Sequence, residues 1–260
     1  MKNLLIIIAF IGVVIHSTAQ GLDLGTAINK AGRQRMLVQK MTKDYMAIGL
    51  NIKKEESTKD IDEVTALFNE NLNELKEYSK NDATTQSITI VSDLWTNYRM
   101  KMAYEPNVIN AESIVEESLR LTKACNVVVE KIQDYSANSA NKLTNMCGKQ
   151  RMNLQKIAML YLAKAWGVKY SYLDKELSDA VFIFDSNLTS LINAKENTEE
   201  IKTGLKFQQS EWQFLRRSFD IGVPKPTNII SSTNLMTKEF DKLTAMYGKL
   251  IIEKNNFSIK

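Results

Sequence analysis

Histidine and cysteine are scarce in this chain. Its only histidine is His16, and its two cysteines are Cys125 and Cys147. Histidine is the most common general base and metal ligand, so the chain beyond residue 16 lacks both. Two cysteines are too few for a disulfide-built scaffold or a zinc site. We also find no nucleophile–base pair and no phosphate-cradling loop, and we expect neither an enzyme, nor a metal site, nor a cofactor.

The chain also has no large excess of positive or negative charge. The formal net charge is +4 over 260 residues, and residues of both signs are spread along the chain without a basic block. Nucleic-acid binding normally requires a concentrated basic surface. We therefore expect no nucleic-acid partner.

Only one long apolar run occurs, and it lies at the amino terminus. Lys2 precedes an apolar run over residues 4–15, and Ser17, Thr18 and Ala19 supply the small residues that a signal peptidase reads. The run is shorter than the roughly 20 residues that span a bilayer. It predicts a cleaved signal peptide over residues 1–19 and a periplasmic or secreted protein. An uncleaved membrane anchor is the less favoured alternative.

Proline is rare, and the segments between prolines have helical periodicity. Pro106, Pro224 and Pro226 are the only three prolines, and apolar residues recur between them at the spacing of one helix face. The pattern predicts an all-α protein with eight helices, over residues 22–50, 57–79, 84–104, 108–136, 138–170, 172–194, 198–220 and 227–254.

The chain contains the same phrase twice. Residues 31–46 read "AGRQRMLVQKMTKDYM" and residues 147–162 read "CGKQRMNLQKIAMLYL", with seven of sixteen positions identical at an offset of 116. Trp95 and Trp212, which we interpret as core residues, recur at nearly the same offset. The repeat predicts two tandem up-down four-helix bundles, over residues 20–137 and 138–260.

The segment between the predicted bundles, "IQDYSANSANKLTNMC", contains neither proline nor glycine. It predicts one nearly continuous helix over residues 108–170, with the bundles stacked end to end. Cys125 and Cys147 would then lie about 33 Å apart and could not form a disulfide. A turn near Ser136 is the alternative, and it would allow the two cysteines to meet.

Each copy of the phrase turns an arginine toward the packed side of its helix. Arg35 falls within the face formed by Ala27, Ala31 and Val38, whereas Arg33 points almost the opposite way. Arg151 has the corresponding position in the second copy. A buried charge needs a partner, because desolvating an unpaired ion costs several kcal/mol. One possibility is that each arginine pairs with an acidic residue of its own bundle.

Glycine and glutamine accompany both arginines. Gly32 and Gly148 precede them by three residues, and glycine inside a helix costs about 1 kcal/mol relative to alanine. That cost predicts a close approach by a neighbouring helix or a small ligand. Gln39 and Gln155, four residues after the arginines, add amide groups. A guanidinium matches a planar oxyanion, which makes these six residues candidate ligand contacts.

The phrase "INKAGRQRMLVQKM" (residues 28–41) resembles the signature of the PilJ-type domain, the N-terminal region of type IV pili methyl-accepting chemotaxis transducers. It is also similar to the periplasmic sensor domain of nitrate/nitrite sensor histidine kinases, in which the ligand-reading segment has the form Asn-x-Ala-Gly-x-x-Arg-Met. Asn29, Ala31, Gly32, Arg35 and Met36 fit this form. The second copy fits it with Asn145, Gly148, Arg151 and Met152, but has Cys147 in place of alanine.

The resemblance implies a ligand site and a mode of assembly. In the nitrate/nitrite sensors a four-helix bundle dimerises through its first helix, and the motif arginine and the glycine backbone contact the anion between two subunits. This implies anion contacts at Arg35 and Arg151 beside Gly32 and Gly148, and a possible homodimer. We find no second apolar span, kinase or methyl-accepting region, so signalling is expected to pass through an unidentified envelope or membrane protein.

Two functions follow from these patterns. The leading hypothesis is an exported tandem sensor-type module that binds a small oxyanion, nitrate or nitrite by resemblance, with two separate sites if the bundles stack end to end. The alternative is a structural or interaction bundle of the cell envelope or pilus machinery without a small-molecule ligand. The alternative predicts that Arg35 and Arg151 are both paired with acids of their own bundles.

Overall fold

The computed structural model describes residues 22–134, 139–221 and 225–257. Every regular element in these ranges is an α-helix, as the sequence predicted: α1 (Leu24–Gly49), α2 (Lys54–Tyr78), α3 (Asp82–Met102), α4 (Val108–Gln133), α5 (Ser139–Trp166), α6 (Leu173–Ile192), α7 (Glu199–Ile221) and α8 (Pro226–Phe257). The predicted signal peptide over residues 1–19 lies outside the described residues. Among the helices that are described, none is long and apolar enough to cross a membrane.

The helix starts follow local sequence signals. The Asp23 side chain accepts a hydrogen bond from the Thr26 backbone N–H at the start of α1, and Asn81 accepts one from Thr84 at the start of α3. Such caps satisfy backbone donors that have no partner inside the helix. Pro226 occupies the first position of α8, where proline lacks only a donor that would be unused.

The helices form two bundles with the same connectivity. Consecutive helices of α1–α4 contact each other across short loops, and α1 also contacts α4, which closes an up-down bundle. Helices α5–α8 repeat this arrangement. Phe68 and Trp95 stack in the first core with ring centroids 4.0 Å apart, and Phe184 and Trp212 pack against each other at a tilt in the second, with centroids 4.2 Å apart. Both tryptophans are therefore core residues, as predicted.

The two bundles lie side by side, so the prediction of a continuous helix over residues 108–170 with end-to-end stacking is wrong. Helix α4 ends at Gln133 and α5 begins at Ser139. The Asn145 amide donates to Gln133 Oε1 over 2.7 Å, whereas twelve residues of one helix span about 18 Å. Helix α1 packs along α5.

Helix α1 explains this arrangement, because it is apolar on more than one side. Of its 26 residues, 18 are buried, and it contacts α2, α4, α5 and α8. Apolar residues that lie on several sides of a helix must be covered by protein on each of those sides. The pattern of one apolar helix face, on which the sequence prediction of the helices was based, therefore does not hold for α1.

Helices α1 and α5 run parallel to each other. Gly32 and Gly148 lie at the same level near their amino-terminal halves, beside the same two side chains. Near the carboxyl ends, Tyr45 packs edge-on against Trp166 with ring centroids 6.2 Å apart. Equivalent points of the two helices therefore face each other within one chain.

Cys125 and Cys147 do not form a disulfide, although α4 and α5 are not one continuous helix. Cys125 and Cys147 are both buried free thiols. Cys125 lies close enough to Arg35 to interact with its charge, and Cys147 has the same relation to Arg151.

Candidate functional site

Arg35 and Arg151 meet at the α1–α5 interface. Both side chains are fully buried. A Cβ atom placed on Gly32 would lie 3.1 Å from Arg35 Nη2 and 3.6 Å from Arg151 Nη2, and one placed on Gly148 would lie 3.3 Å from each. Both guanidinium groups therefore lie against both glycines. The close approach predicted at the glycines is made by these two cations rather than by a helix backbone.

Arg35 is held by neutral groups. Its Nη1 donates to Asn126 Oδ1 over 2.6 Å, and its Nε donates weakly to the Gly32 carbonyl over 3.4 Å. The Asn126 amide in turn donates to Glu130 over 2.6 Å. Within the described ranges, Arg35 Nη2 is buried without a hydrogen bond, and no carboxylate lies within ion-pair distance of this arginine.

Arg151 is held by a carboxylate. Its Nη1 donates to Asp241 of α8, and its Nη2 lies 3.5 Å from the Asn29 carbonyl of α1. Asp241 also accepts two hydrogen bonds from Arg33 Nη2, at 3.0 and 2.9 Å. Arg151 Nε is buried without a partner in the described part of the chain. The interaction-bundle alternative therefore predicted the pairing of Arg151 correctly and that of Arg35 wrongly.

The electrostatics reflect this difference. Burial, together with the neighbouring charge of Arg151, lowers the pKa of Arg35 to about 9. Burial alone would raise the pKa of Asp241, but Arg151 and Arg33 outweigh it and hold that pKa below 3.8. At neutral pH Arg35 and Arg151 are therefore cations and Asp241 is an ionised carboxylate.

The glutamines bond to helices of their own bundles. Gln39 Nε2 donates to Thr122 Oγ1 of α4 over 2.6 Å, and Gln155 Nε2 donates to Thr237 Oγ1 of α8 over 2.7 Å. Each therefore ties its arginine-bearing helix to the helix that carries the arginine's partner. Both Oε1 atoms are buried and have no hydrogen bond within the described residues.

Three residues of the site were not singled out from the sequence: Arg33, Asn126 and Asp241. Arg33 was assigned to the opposite face of α1, but α8 of the second bundle covers that face, so Arg33 reaches Asp241. Asn126 and Asp241 hold equivalent places, because each accepts from Nη1 of its own bundle's arginine. Their separation of 115 residues, close to the repeat offset of 116, is the signal that could have paired them.

The described residues contain no group of three or more His, Cys, Asp or Glu side chains that could hold a metal ion. At the α1–α5 interface the arginines offer hydrogen-bond donation and positive charge beside the Asp241 carboxylate.

Comparison with known families identifies one part of the chain. The family model described as "Type IV pili methyl-accepting chemotaxis transducer N-term" (PilJ) matches residues 17–121. That part of the chain is PilJ-like. The match includes α1, α2, α3 and the first half of α4, and with α1 it includes Gly32 and Arg35. The resemblance to PilJ is thus confirmed for residues 17–121, which supports a sensor-type signalling module. Neither a curated protein nor a solved structure gives a match to the chain.

Proposed function

We propose that this protein is an exported sensor-type module that binds one small oxyanion, nitrate or nitrite, between α1 and α5 and signals through an envelope or membrane partner. The observation that carries the proposal is the convergence of the Arg35 and Arg151 guanidinium groups beside Gly32 and Gly148. Two positive charges that are buried together repel each other. An anion bound between them would attract both and offset that repulsion.

Hydrogen-bond donors remain available for such an anion. Arg35 Nη2 and Arg151 Nε are both buried and lack an acceptor among the described residues. The side chains of Arg33, Arg35, Arg151 and Asp241 carry a net charge of +2, since three cations face one carboxylate. Guanidinium groups bind planar oxyanions through directional, charge-assisted hydrogen bonds.

We further propose that residues 20–137 and 138–260 are two PilJ-type copies that pack as the two subunits of a nitrate/nitrite sensor dimer would. Matching contacts support this reading. Gln34 donates to the Phe68 carbonyl and Gln150 to the Phe184 carbonyl, each across 34 residues. Under this proposal the single anion site is complete within one chain, so a homodimer is not needed to build it. Export would use residues 1–19.

The alternative is a structural or interaction bundle without a small-molecule ligand. The pairing of Arg151 with Asp241 favours it, because that bond satisfies one arginine inside its own bundle. The two proposals differ in what Arg35 requires, since this arginine has only an amide and a carbonyl as acceptors.

Calorimetric titration and thermal unfolding with nitrate, nitrite, sulfate and chloride at matched ionic strength test the proposal. We expect one nitrate or nitrite per chain, and stabilisation by about 2.7 kcal/mol at one hundred times the dissociation constant. Arg35→Ala and Arg151→Ala should each abolish the shift. Arg99→Ala, at an exposed arginine of α3, is the matched control and should retain it. Equal shifts for all anions, or a nitrate shift that survives in the Arg35→Ala/Arg151→Ala double variant, would favour the structural bundle.

A further inference from the structure

The two halves of the site differ in the side chain that accepts a hydrogen bond from each buried arginine. Asn126 of α4 accepts from Arg35 Nη1, and Asp241 of α8 accepts from Arg151 Nη1. The first partner is a neutral amide and the second is an anion. Apart from this difference, the arginines have the same burial and the same relation to the two glycines.

Asp241 resembles the ligand proposed for the site. A carboxylate is a planar oxyanion, and this one accepts two hydrogen bonds from Arg33 and one from Arg151. Its oxygens use donors and positive charge that an external oxyanion at the same arginines would also use. Arg35, which has no such carboxylate, keeps Nη2 free of any hydrogen bond within the described residues.

We infer that Asp241 is an internal competitor that sets the affinity of the site for external anions, and that Asn126 keeps Arg35 available to receive them. This inference rests on the proposed function. Asp241 balances one arginine so that the empty site is stable enough to fold, while the neutral Asn126 leaves the second cation without a carboxylate. The number of carboxylates at these two positions then determines how strongly the site attracts an anion.

Exchanging the two side chains separates the effect of the net charge on anion affinity from the effect of the position of the carboxylate. Asn126→Asp supplies Arg35 with its own carboxylate and lowers the net charge of the site by one. Asp241→Asn removes the internal anion and raises that charge by one. The double variant Asn126→Asp/Asp241→Asn moves the carboxylate from one half to the other and keeps the charge unchanged. Amide and carboxylate have nearly the same shape, so packing changes little. Asn126→Asp also removes the hydrogen bond that the Asn126 amide donates to Glu130, but the exposed Glu130 side chain can turn into solvent.

The experiment is calorimetric titration of wild type and the three variants with sodium nitrate and sodium nitrite against a constant chloride background. We expect Asn126→Asp to weaken binding about tenfold and Asp241→Asn to strengthen it about tenfold, the order expected for one nearby unit charge. The double variant should bind within a few-fold of wild type. A thermal melt of each variant checks folding, and Asn126→Asp, which adds a counter-ion, keeps the test valid even if Asp241→Asn fails to fold.

The outcomes distinguish the two proposals. Nitrate and nitrite binding by wild type with an unchanged affinity in Asn126→Asp would overturn this inference and leave the proposed function intact. A loss of binding in the double variant would also overturn it, because position and not charge would then control affinity. An absence of binding in wild type and all variants would overturn the proposed function itself.

Discussion

The indole ring of Trp166 on α5 lies directly against the α-carbon of Gly49 on α1, so that a Cβ atom at residue 49 would overlap the ring. Tyr45, one turn earlier on α1, meets the same indole edge-on. This contact fixes the α1–α5 interface at the end opposite the arginines. It exists only because the two bundles lie side by side.

Gly49→Ala should therefore destabilise the protein. Overpacking a tight contact typically costs 1–3 kcal/mol, which exceeds the gain of about 1 kcal/mol that alanine brings within a helix. Urea unfolding measures the change. In a Trp166→Ala background the same substitution should be neutral or stabilising, because the ring is gone. Additive effects of the two substitutions would argue against the side-by-side packing.

Lys43→Met should stabilise the protein by about 1 kcal/mol, equivalent to a rise of about 2–4 °C in Tm. Lys43 is fully buried, and burial lowers the pKa of its ammonium group. The Lys43 ammonium pairs with Asp44 at 3.1 Å and donates to Asn234 over 2.6 Å. Both partners keep other bonds, since Asp44 also pairs with Lys40 at 3.0 Å and Asn234 also accepts from Gln155 at 3.3 Å. The equivalent residue of the second half is already Met159.

Lys40→Met is the matched control for that substitution. Burial lowers the pKa of Lys40, but Asp44 and Asp60 outweigh burial and raise it above 10.5. Its charge is thus favoured by folding, and its loss should lower Tm. Stabilisation by both substitutions would show that the ion pairs around α1 contribute nothing.

The stability contributed by Asp241 should depend on pH in the acid range. Its pKa in the folded protein is held below the ordinary 3.8 by the two arginines. The contribution is therefore fully present above pH 3.8 and is lost as pH falls through the lower pKa of the folded state. Urea unfolding should show Asp241→Asn to be less stable than wild type at neutral pH, with a difference that shrinks toward pH of about 2. A difference independent of pH would mean that the carboxylate charge does not matter.

Gly32→Ala and Gly148→Ala should separate ligand binding from folding. Each added methyl lies 3.1–3.3 Å from a guanidinium Nη2 at the far end of a flexible side chain, so the cost of a small shift is offset by the helix preference for alanine. We expect Tm to change by no more than a few degrees, while nitrate affinity falls at least about tenfold because the methyl occupies space between the arginines. Unaltered nitrate affinity in both variants would show that nitrate does not bind beside these glycines.

Both cysteines should be inert in the folded protein. Burial raises the pKa of the Cys125 and Cys147 thiols to about 12, and the thiolate is the reactive form. A thiol reagent should label neither residue in native buffer and both in denaturant. Non-reducing mass spectrometry should detect two free thiols, and an intrachain Cys125–Cys147 bond would contradict the structure.

The sequence predicted the helices and the burial of the arginines because both depend on local periodicity. Pro106 and Pro226 mark the starts of α4 and α8, and Arg35 falls among residues that recur on one face. The arrangement of the bundles was not predictable in the same way. The segment between Gln133 and Ser139 contains no helix-breaking residue, and the choice between a continuous helix and side-by-side packing depends on covering every face of α1.

The partners of the arginines also depend on tertiary packing. Asp241 lies 90 residues from Arg151 and more than 200 from Arg33, and no spacing rule connects such positions. Met36, Leu37 and Val38, consecutive apolar residues that point to three sides of α1, are the local sign that this helix is enclosed. From them one could have predicted that the Arg33 side chain also contacts another helix.

The parallel pairing of α1 and α5 in one chain has a consequence for how such a site can change. In a pair of identical subunits related by a twofold axis, every substitution appears on both sides at once, and a carboxylate beside one arginine implies a carboxylate beside the other. One continuous chain has no such restriction. It can place Asp241 beside Arg151 and Asn126 beside Arg35, and so give the two sides of a single binding place different chemistry, a combination that no symmetric homodimer could encode.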